Sequence, residues 1–394
     1  MENKKEPNNQ KPCPKCQPPP ADSGNPFVRA PLLPTPSELI ALLDKKVVGQ
    51  TEAKRTLAVA AYYHFLGCAL GELTNWPVEP TSILLVGPTG SGKSHLFKTL
   101  RECLGIPLVY LSCTGMTQNG YKGVNINEVL ERLEDELLED NRTQPAIIVW
   151  DEADKLAELP NTHPVSTRGV QQDMLTYLDG TRCGKSGKLD SSRFLNLACG
   201  AFVGLDKLRK KPGTAPQIGF CTKFHHTDPA ETLEPLNTQH LMDFGLIPEF
   251  IGRFSSITEL VPLDSVTLRR ILTHAEGNPL AVKQRFFLMH GIELIVTDCA
   301  LDEIIARAAK MGTGARSLRR VLHHTLSRYD CHLPELAAEG VTSLTITAET
   351  VRGEKPALRN LTHDPKELVQ LISLRKHAGA YALWQKRSKE ESVW

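Results

Sequence analysis

The stretch that decides the fold is Gly87-Pro88-Thr89-Gly90-Ser91-Gly92-Lys93-Ser94. It matches the P-loop pattern, in which glycines allow a tight turn whose backbone N–H groups point at phosphate groups. In that pattern Lys93 reaches the β- and γ-phosphates, and the Ser94 hydroxyl binds Mg²⁺. An apolar run precedes the loop and a helical sequence follows it, which is the context that the motif requires. The sequence therefore predicts a nucleoside triphosphate site, with a chance glycine-rich turn as the alternative.

Three short apolar runs, at 83–86, 108–111 and 146–150, are interpreted as strands. Strands that are buried on both faces have continuous apolar sequences, whereas half-exposed strands alternate. Apolar residues at 126, 129, 130, 133 and 137 repeat with helical spacing between the second run and the third. The pattern predicts an α/β fold with a parallel sheet flanked by helices. Beyond about residue 264, helical segments around the run at 291–296 and a strand-like run at 344–346 predict a smaller, mainly helical α+β domain.

The third apolar run ends in an acidic pair, Asp151-Glu152. At the carboxyl end of a parallel strand these side chains would face the bound nucleotide, Asp151 holding Mg²⁺ and Glu152 orienting or activating the attacking water. A solvated acidic turn is the alternative. The residues 151–154 also spell Asp-Glu-Ala-Asp, the signature of a class of nucleic-acid helicases. Such a helicase would carry a Ser-Ala-Thr motif further on and a basic stripe with interleaved aromatics, and the sequence has neither.

The composition is that of a multi-domain intracellular protein. The 394 residues suggest two or three domains, and 46 basic against 45 acidic residues give a net charge of +1, unlike a polybasic nucleic-acid binder. Ten cysteines without paired spacing indicate free thiols in a reducing compartment. The longest uncharged stretch, 56–71, is too short to span a bilayer and is interpreted as a largely buried helix. A cytoplasmic location without membrane contact is therefore expected.

Further motifs occur in a fixed order along the chain: Gly-Val-Gln-Gln at 169–172, Gly-Leu-Ile-Pro-Glu-Phe-Ile-Gly-Arg-Phe at 245–254, and Gly-Ala-Arg at 314–316. With these and the P-loop, the sequence resembles the ClpX family of hexameric AAA+ unfoldases over residues 33–346. The resemblance implies ATP as the nucleotide, a homo-hexameric ring, protein substrates and delivery to a ClpP-like peptidase. It divides the chain into a proline-rich arm (1–36), a large AAA+ nucleotide-binding domain (37–262), a small lid domain (263–353) and a helical extension (354–394).

Three nucleotide-site roles follow from the resemblance alone. Val48 lies in the segment that borders the adenine. Arg253 corresponds to the arginine finger, which reaches the γ-phosphate held by a neighbouring subunit, and Arg316 corresponds to the sensor-2 arginine of the lid domain. Read without the family, Arg253 would be an ordinary surface arginine. Arg316 would be one basic residue in a cluster with Arg319 and Arg320.

The resemblance also implies two working loops. Tyr121, followed by Lys122, corresponds to the pore loop that grips a polypeptide. Ile218-Gly219-Phe220 corresponds to the tripeptide that docks into clefts on ClpP, and a short strand packed on the core is the alternative for it. A ClpP-independent remodelling chaperone is the alternative function, and a nucleic-acid-dependent ATPase is a third.

The two ends of the chain depart from the family. A four-thiolate zinc module needs two Cys-x-x-Cys pairs, whereas only Cys13 and Cys16 are present, so zinc binding is doubtful and an unstructured arm is expected. Two chains could still contribute one pair each.

The first helix is predicted to begin after Ser37 as its N-cap, and a last helix is predicted to begin after Asp364.

Overall fold

The computed structural model describes residues 33–117, 125–139, 142–158, 167–209 and 233–361. Within these ranges the α-helices are α1 (Pro36–Lys46), α2 (Thr51–Thr74), α3 (Lys93–Leu104), α4 (Ile126–Leu137), α5 (Thr167–Leu178), α6 (Leu205–Leu208), α7 (Thr238–Phe244), α8 (Pro248–Ile251), α9 (Ser265–Thr273), α10 (Pro279–Leu288), α11 (Asp298–Lys310), α12 (Ala315–Asp330), α13 (Leu333–Ala338) and α14 (Ala348–Arg352). The strands are β1 (Thr81–Val86), β2 (Leu108–Ser112), β3 (Leu138–Glu139), β4 (Arg142–Thr143), β5 (Ala146–Asp151), β6 (Arg182–Cys183), β7 (Leu189–Asp190), β8 (Phe194–Gly200), β9 (Ser256–Glu259), β10 (Glu293–Val296), β11 (Val341–Ile346) and β12 (Leu358–Leu361).

Five strands form the central sheet in the order β2-β5-β8-β1-β9, and every neighbouring pair is parallel. Its central strands, β1, β5 and β8, are buried along almost their whole length because both faces of the sheet are covered there. Leu84 and Ile148 belong to the hydrophobic cluster on one face, with residues of α4, α5, α7 and α8. Ile83 and Ile147 belong to the cluster on the other face, with residues of α1, α2 and α3. The predicted α/β fold with a parallel sheet is confirmed.

Besides the core around the central sheet, a separate hydrophobic cluster, called the second hydrophobic cluster or second core below, joins α9–α14 to a three-stranded sheet. In this sheet β10 pairs parallel with β11, and β11 pairs antiparallel with β12. The helices around 291–296 and the late strand agree with the predicted α+β character of this part. The sequence pattern does not predict β12, which occupies the start of the segment assigned to a helical extension. The helix predicted after Asp364 lies outside the described residues.

One local prediction is wrong. Helix α1 is capped by Thr35 and not by Ser37, because Pro36 occupies the first helical position and Thr35 and Glu38 form a capping box. The Thr35 side chain accepts from the Glu38 N–H at 3.4 Å, and the Glu38 carboxylate accepts from the Thr35 N–H at 2.8 Å.

The stretch 56–71 lies in α2, and most of it is buried or half-buried, as predicted. Leu57 and Phe65 pack in the core, whereas the Tyr63 side chain is 64% exposed. The helix covers one face of the sheet, so its opposite side meets solvent. No helix in the described part of the chain is long and apolar enough to cross a membrane.

Candidate active site

The phosphate-binding loop connects the carboxyl end of β1 to α3. Helix α3 begins at Lys93, and its N-cap, Gly92, has φ 103° and offers no side-chain cap. The first N–H groups of an α-helix have no partner within the helix, and with the helix dipole they attract anions. The loop and the first turn of α3 therefore present an anion site at the edge where the parallel strands end.

The Lys93 side chain folds across its own loop in the structure. Its Nζ donates to the carbonyl of Gly87 and, at 3.1 Å, to that of Pro88. Burial lowers the pKa of Lys93 and the positive charge of Arg316 lowers it further, whereas the Asp151 carboxylate opposes this shift. Three residues predicted from distant parts of the sequence are thus close enough to influence one another electrostatically.

Asp151 is the last residue of β5, next to the end of β8 in the sheet. Its Oδ1 accepts a hydrogen bond from the Cys199 thiol at 3.3 Å and one from the Glu152 backbone N–H at 2.9 Å. Burial raises the pKa of Cys199, and the Asp151 charge raises it further, so the thiol stays protonated and able to donate. These bonds fix one oxygen of Asp151 and leave the other for a ligand.

Glu152 occupies a left-handed backbone conformation, with φ 60° and ψ 37°. Such a conformation is uncommon for residues other than glycine and is held only where the surroundings impose it. The side chain is exposed and accepts a hydrogen bond at Oε2 from the Thr114 hydroxyl, in the segment that follows β2. Sequence reasoning missed Thr114. The sequence offers one signal for it, since Thr114 is a polar residue just beyond β2, and the carboxyl end of β2 lies at this edge of the sheet.

The fourth residue of the acidic run has a supporting place. Asp154 is buried, accepts the Ala201 N–H at 3.3 Å and pairs with Lys155 at 3.2 Å. It therefore ties the turn after β5 to the turn after β8. Asp154, the last residue of the helicase-like sequence at 151–154, therefore has a structural role.

The N-terminus of α12 lies directly on the phosphate-binding loop. The Ala315 N–H donates to the Gly90 carbonyl at 3.2 Å, and a Cβ on Gly314 would lie 2.5 Å from that same oxygen. Only glycine fits at 314, where φ is 55° and ψ −137°. Arg316 is the second residue of α12, and its side chain is exposed. Val48, the predicted adenine neighbour, is half-buried between α1 and α2.

Ser94 and Arg253 complete the described candidates. Ser94 lies half-buried in the first turn of α3, where its carbonyl accepts the Tyr110 hydroxyl at 3.2 Å. Arg253 follows α8 and pairs with Asp179, just beyond α5, so the structure does not join it to the loop of its own chain. The remaining predicted residues lie outside the described part of the chain: Tyr121, Lys122, Ile218, Gly219, Phe220, Cys13 and Cys16.

A parallel sheet with a phosphate-binding loop after one strand and an acidic pair after another defines a P-loop ATPase. Comparison with protein families refines this class. Residues 79–257 match the family model described as AAA domain (Cdc48 subfamily). Residues 263–329 match the model described as the C-terminal, D2-small domain, of ClpB protein.

Relatives that match most of the chain indicate a narrower family. One is the ATP-dependent Clp protease ATP-binding subunit ClpX 3 of Methylococcus capsulatus, 35% identical over 360 residues that cover 82% of this chain and 82% of the relative. The ClpX of Azotobacter vinelandii is 38% identical over 335 residues (77% and 76%), and that of Borrelia duttonii is 33% identical over 339 residues (81% and 79%). The chain belongs to the ClpX family of AAA ATPases.

Proposed function

We propose that this protein is an ATP-driven unfoldase that works as a ring of six copies and passes polypeptides to a ClpP-like peptidase in the cytoplasm. The observation that carries the proposal is the convergence of Lys93, Asp151 and Glu152 at one edge of the sheet, in a chain of the ClpX family. The two family-model matches support a large nucleotide domain followed by a lid domain, with boundaries proposed near residues 37, 262 and 353.

The residues of the loop fit a magnesium nucleotide. When bound, Mg·ATP supplies a γ-phosphoryl group whose transfer to water releases free energy. The N–H groups of the loop and the Lys93 ammonium would bind the phosphates, and Ser94 and the unengaged oxygen of Asp151 would hold the metal ion. Magnesium sites next to phosphates use few protein ligands, which agrees with this small set. Arg316 and Val48 would complete the nucleotide site from the lid side and the adenine side.

Glu152 is proposed as the residue that orients and activates water. In the structure Thr114 donates to one oxygen of its carboxylate, Oε2, so the threonine hydroxyl competes with water for this group. Arg253 would act on the site of the neighbouring subunit, where a guanidinium stabilises the charge that develops on the transferring phosphoryl group. Hydrolysis would then depend on assembly of the ring.

The mechanical part of the proposal concerns residues outside the described ranges. Tyr121 and Lys122 would line the pore and move a polypeptide as hydrolysis proceeds. Ile218, Gly219 and Phe220 would dock on the peptidase. The support for these roles is the family membership together with the sequence at these positions.

The test compares the purified protein with its Glu152→Gln variant. Glu158→Gln is the matched control, because Glu158 is an exposed glutamate a few positions further along the chain. We expect hydrolysis of Mg·ATP by the unchanged protein and by the control. The Glu152→Gln variant should hydrolyse at least about 100-fold more slowly while still binding nucleotide. It should also trap polypeptides, which can be identified after capture. No hydrolysis by the unchanged protein, or full hydrolysis by the variant, would contradict the proposal.

Docking on the peptidase is tested separately by co-purification with ClpP. We expect binding by the unchanged protein and its loss on joint substitution of Ile218 and Phe220 by Ala. Binding that survives the double substitution would remove the docking role of this tripeptide. Hydrolysis and polypeptide capture without any peptidase binding would instead support a remodelling chaperone that works alone.

A further inference from the structure

Gln50 links two distant segments of the chain, one that lies 41 positions away in the sequence and one that lies 211 positions away. Its Nε2 donates to the Val261 carbonyl at 2.8 Å and to the Ser91 carbonyl at 3.1 Å. Its Oε1 accepts the Val261 N–H at 3.0 Å. The side-chain amide thus pairs with both backbone groups of Val261, as a neighbouring strand would, and uses its second hydrogen on the phosphate-binding loop.

The two segments that Gln50 joins have different roles in the fold. Ser91 lies in the centre of the phosphate-binding loop. Val261 lies in the short segment between β9, the edge strand of the central sheet, and α9, the first helix of the second hydrophobic cluster. The preceding residue, Leu260, continues the ladder by donating to the Val86 carbonyl at 2.7 Å, immediately before the loop. The connection between the two cores therefore begins beside the phosphate-binding loop.

The position of Gln50 is maintained at a cost. Its side chain is buried, with 8% exposure, and its backbone is left-handed at φ 56° although it is not glycine. Left-handed backbone is unfavourable for residues with a Cβ, and a buried amide is tolerated only when its polar atoms are paired. The three hydrogen bonds meet this second requirement. They also make the amide a fixed link that can transmit a displacement of either backbone segment to the other.

We propose that Gln50 is a positioning residue that couples the phosphate-binding loop to the segment between the two cores. The inference rests on the proposed function, since it assumes that nucleotide binds at the loop. Nucleotide binding that shifts the Ser91 carbonyl would alter the pairing of Gln50 with Val261 and so bias the orientation of the lid relative to the sheet. Coupling of this kind needs an element on which both sites act, and the Gln50 amide touches both.

The test is amide hydrogen exchange with and without saturating Mg·ADP, read on peptides that cover the loop and on peptides that cover 256–264. In the unchanged protein we expect Mg·ADP to slow exchange in the loop and to change exchange at Val261 at least about fivefold. In Gln50→Met, which has similar size but forms none of the three bonds, Mg·ADP should still protect the loop while exchange at Val261 becomes fast and independent of nucleotide. The kcat of ATP hydrolysis should fall at least about fivefold, with KM changing less than threefold.

Asn278→Leu is the matched control, because Asn278 is also a buried amide with three hydrogen bonds to the backbone. Its Nδ2 donates to the Thr273 and Ala275 carbonyls at 3.2 and 3.0 Å, and its Oδ1 accepts the Ala281 N–H at 2.7 Å, all where α9 is followed by α10. The control should lose stability yet keep the nucleotide response at Val261. If Gln50→Met does not fold, Gln50→Glu is the second test variant. Its carboxylate keeps the acceptor for the Val261 N–H and loses both donated hydrogen bonds. It should then show slow exchange at Val261 that no longer responds to Mg·ADP.

The outcomes separate this inference from the function on which it rests. A nucleotide response at Val261 that persists in the Gln50 variants would overturn the coupling role. Protection of the loop in the unchanged protein without any response at Val261 would do the same and leave the ATPase intact. Absence of any protection by Mg·ADP in the unchanged protein would instead contradict nucleotide binding itself.

Discussion

The Arg253 guanidinium forms a two-point ion pair with the Asp179 carboxylate of its own chain. The Nε atom lies 2.5 Å from Oδ1, and Nη2 lies 2.8 Å from Oδ2. The two side chains are 39% and 43% exposed, and ion pairs of such exposure contribute at most about 1 kcal/mol. Asp179 therefore engages the proposed arginine finger only weakly, and a more strongly charged phosphate can displace it.

The two-point geometry of Arg253 predicts that lysine cannot replace it. An ammonium group is a single compact charge, whereas the planar guanidinium can engage two oxygens at once. We expect Arg253→Lys to lower the kcat of ATP hydrolysis at least about tenfold, with nucleotide affinity changed less than threefold. Arg269→Lys is the matched control, because Arg269 of α9 also pairs with two carboxylates, those of Asp298 and Asp302 of α11. Equal losses in both variants would contradict a role for Arg253 in hydrolysis.

Thr114 is predicted to restrain Glu152. Its hydroxyl donates to one oxygen of the Glu152 carboxylate, the group that is proposed to accept a proton from water. Replacement by the isosteric valine removes the donor, so we expect Thr114→Val to raise the unstimulated ATPase rate about two- to fivefold. Thr114→Ser keeps the hydroxyl and should behave as the unchanged protein. Steady-state hydrolysis rates measure this, and a lower rate for the valine variant would show that Thr114 positions Glu152 for catalysis and does not restrain it.

Closure of α12 on the phosphate-binding loop is predicted to require glycine at 314. An added methyl group would collide with the Gly90 carbonyl, so Gly314→Ala must open this contact and move Arg316 with it. We expect the Kd for Mg·ADP to rise at least about tenfold in a fluorescence titration. Gly312→Ala is the control, because Gly312 also has a positive φ, +65°, but has no atom within 4 Å of an added Cβ. A similar loss of affinity in both variants would attribute the effect to backbone strain alone.

His64 predicts a pH dependence of stability. Burial on the inner face of α2 lowers the pKa of His64 from 6.5 to about 4. Between those values the unfolded chain binds a proton that the folded chain does not, so stability is complete above about pH 6.5 and decreases as the pH falls towards 4. The contribution of His64 between pH 7.5 and 5 is about 2 kcal/mol.

Urea unfolding of the nucleotide-free protein at the two pH values measures this contribution. In His64→Gln, residue 64 does not titrate. We therefore expect the free energy of unfolding to decrease between pH 7.5 and 5 by about 2 kcal/mol less in this variant than in the unchanged protein. An identical pH dependence in the two proteins would show that His64 gains its proton in the folded state as readily as in the unfolded chain.

The sequence predicted the parts of the site that depend on local pattern. The P-loop, the buried strand before Asp151 and the helix after Lys93 are each specified by neighbouring residues, and the structure places them as expected. The misjudged cap of α1 is also local: proline at the first helical position shifts the cap back to Thr35.

The partners of the site residues could not be predicted in this way. Thr114 meets Glu152, and Asp179 meets Arg253, only because the parallel order of the sheet and the packing of α5 against α8 bring them together. Gln50 lies two positions after Val48, but the sequence indicates no role for it, because its contacts lie 41 and 211 positions away. Side chains of this kind follow no periodic pattern, so only the folded chain identifies them.

In the proposed ring, each ATP is hydrolysed by groups from two neighbouring subunits. Arg253→Ala and Glu152→Gln should each be inactive alone, because the first lacks the finger for every site and the second lacks the water-activating group in every site. Mixed in equal amounts and allowed to reassemble, they should regain about a quarter of the wild-type ATPase rate, since half the subunits keep Glu152 and half of their neighbours supply Arg253. A mixture that stays as inactive as its components, although exchange of subunits is demonstrated, would contradict a site shared between subunits.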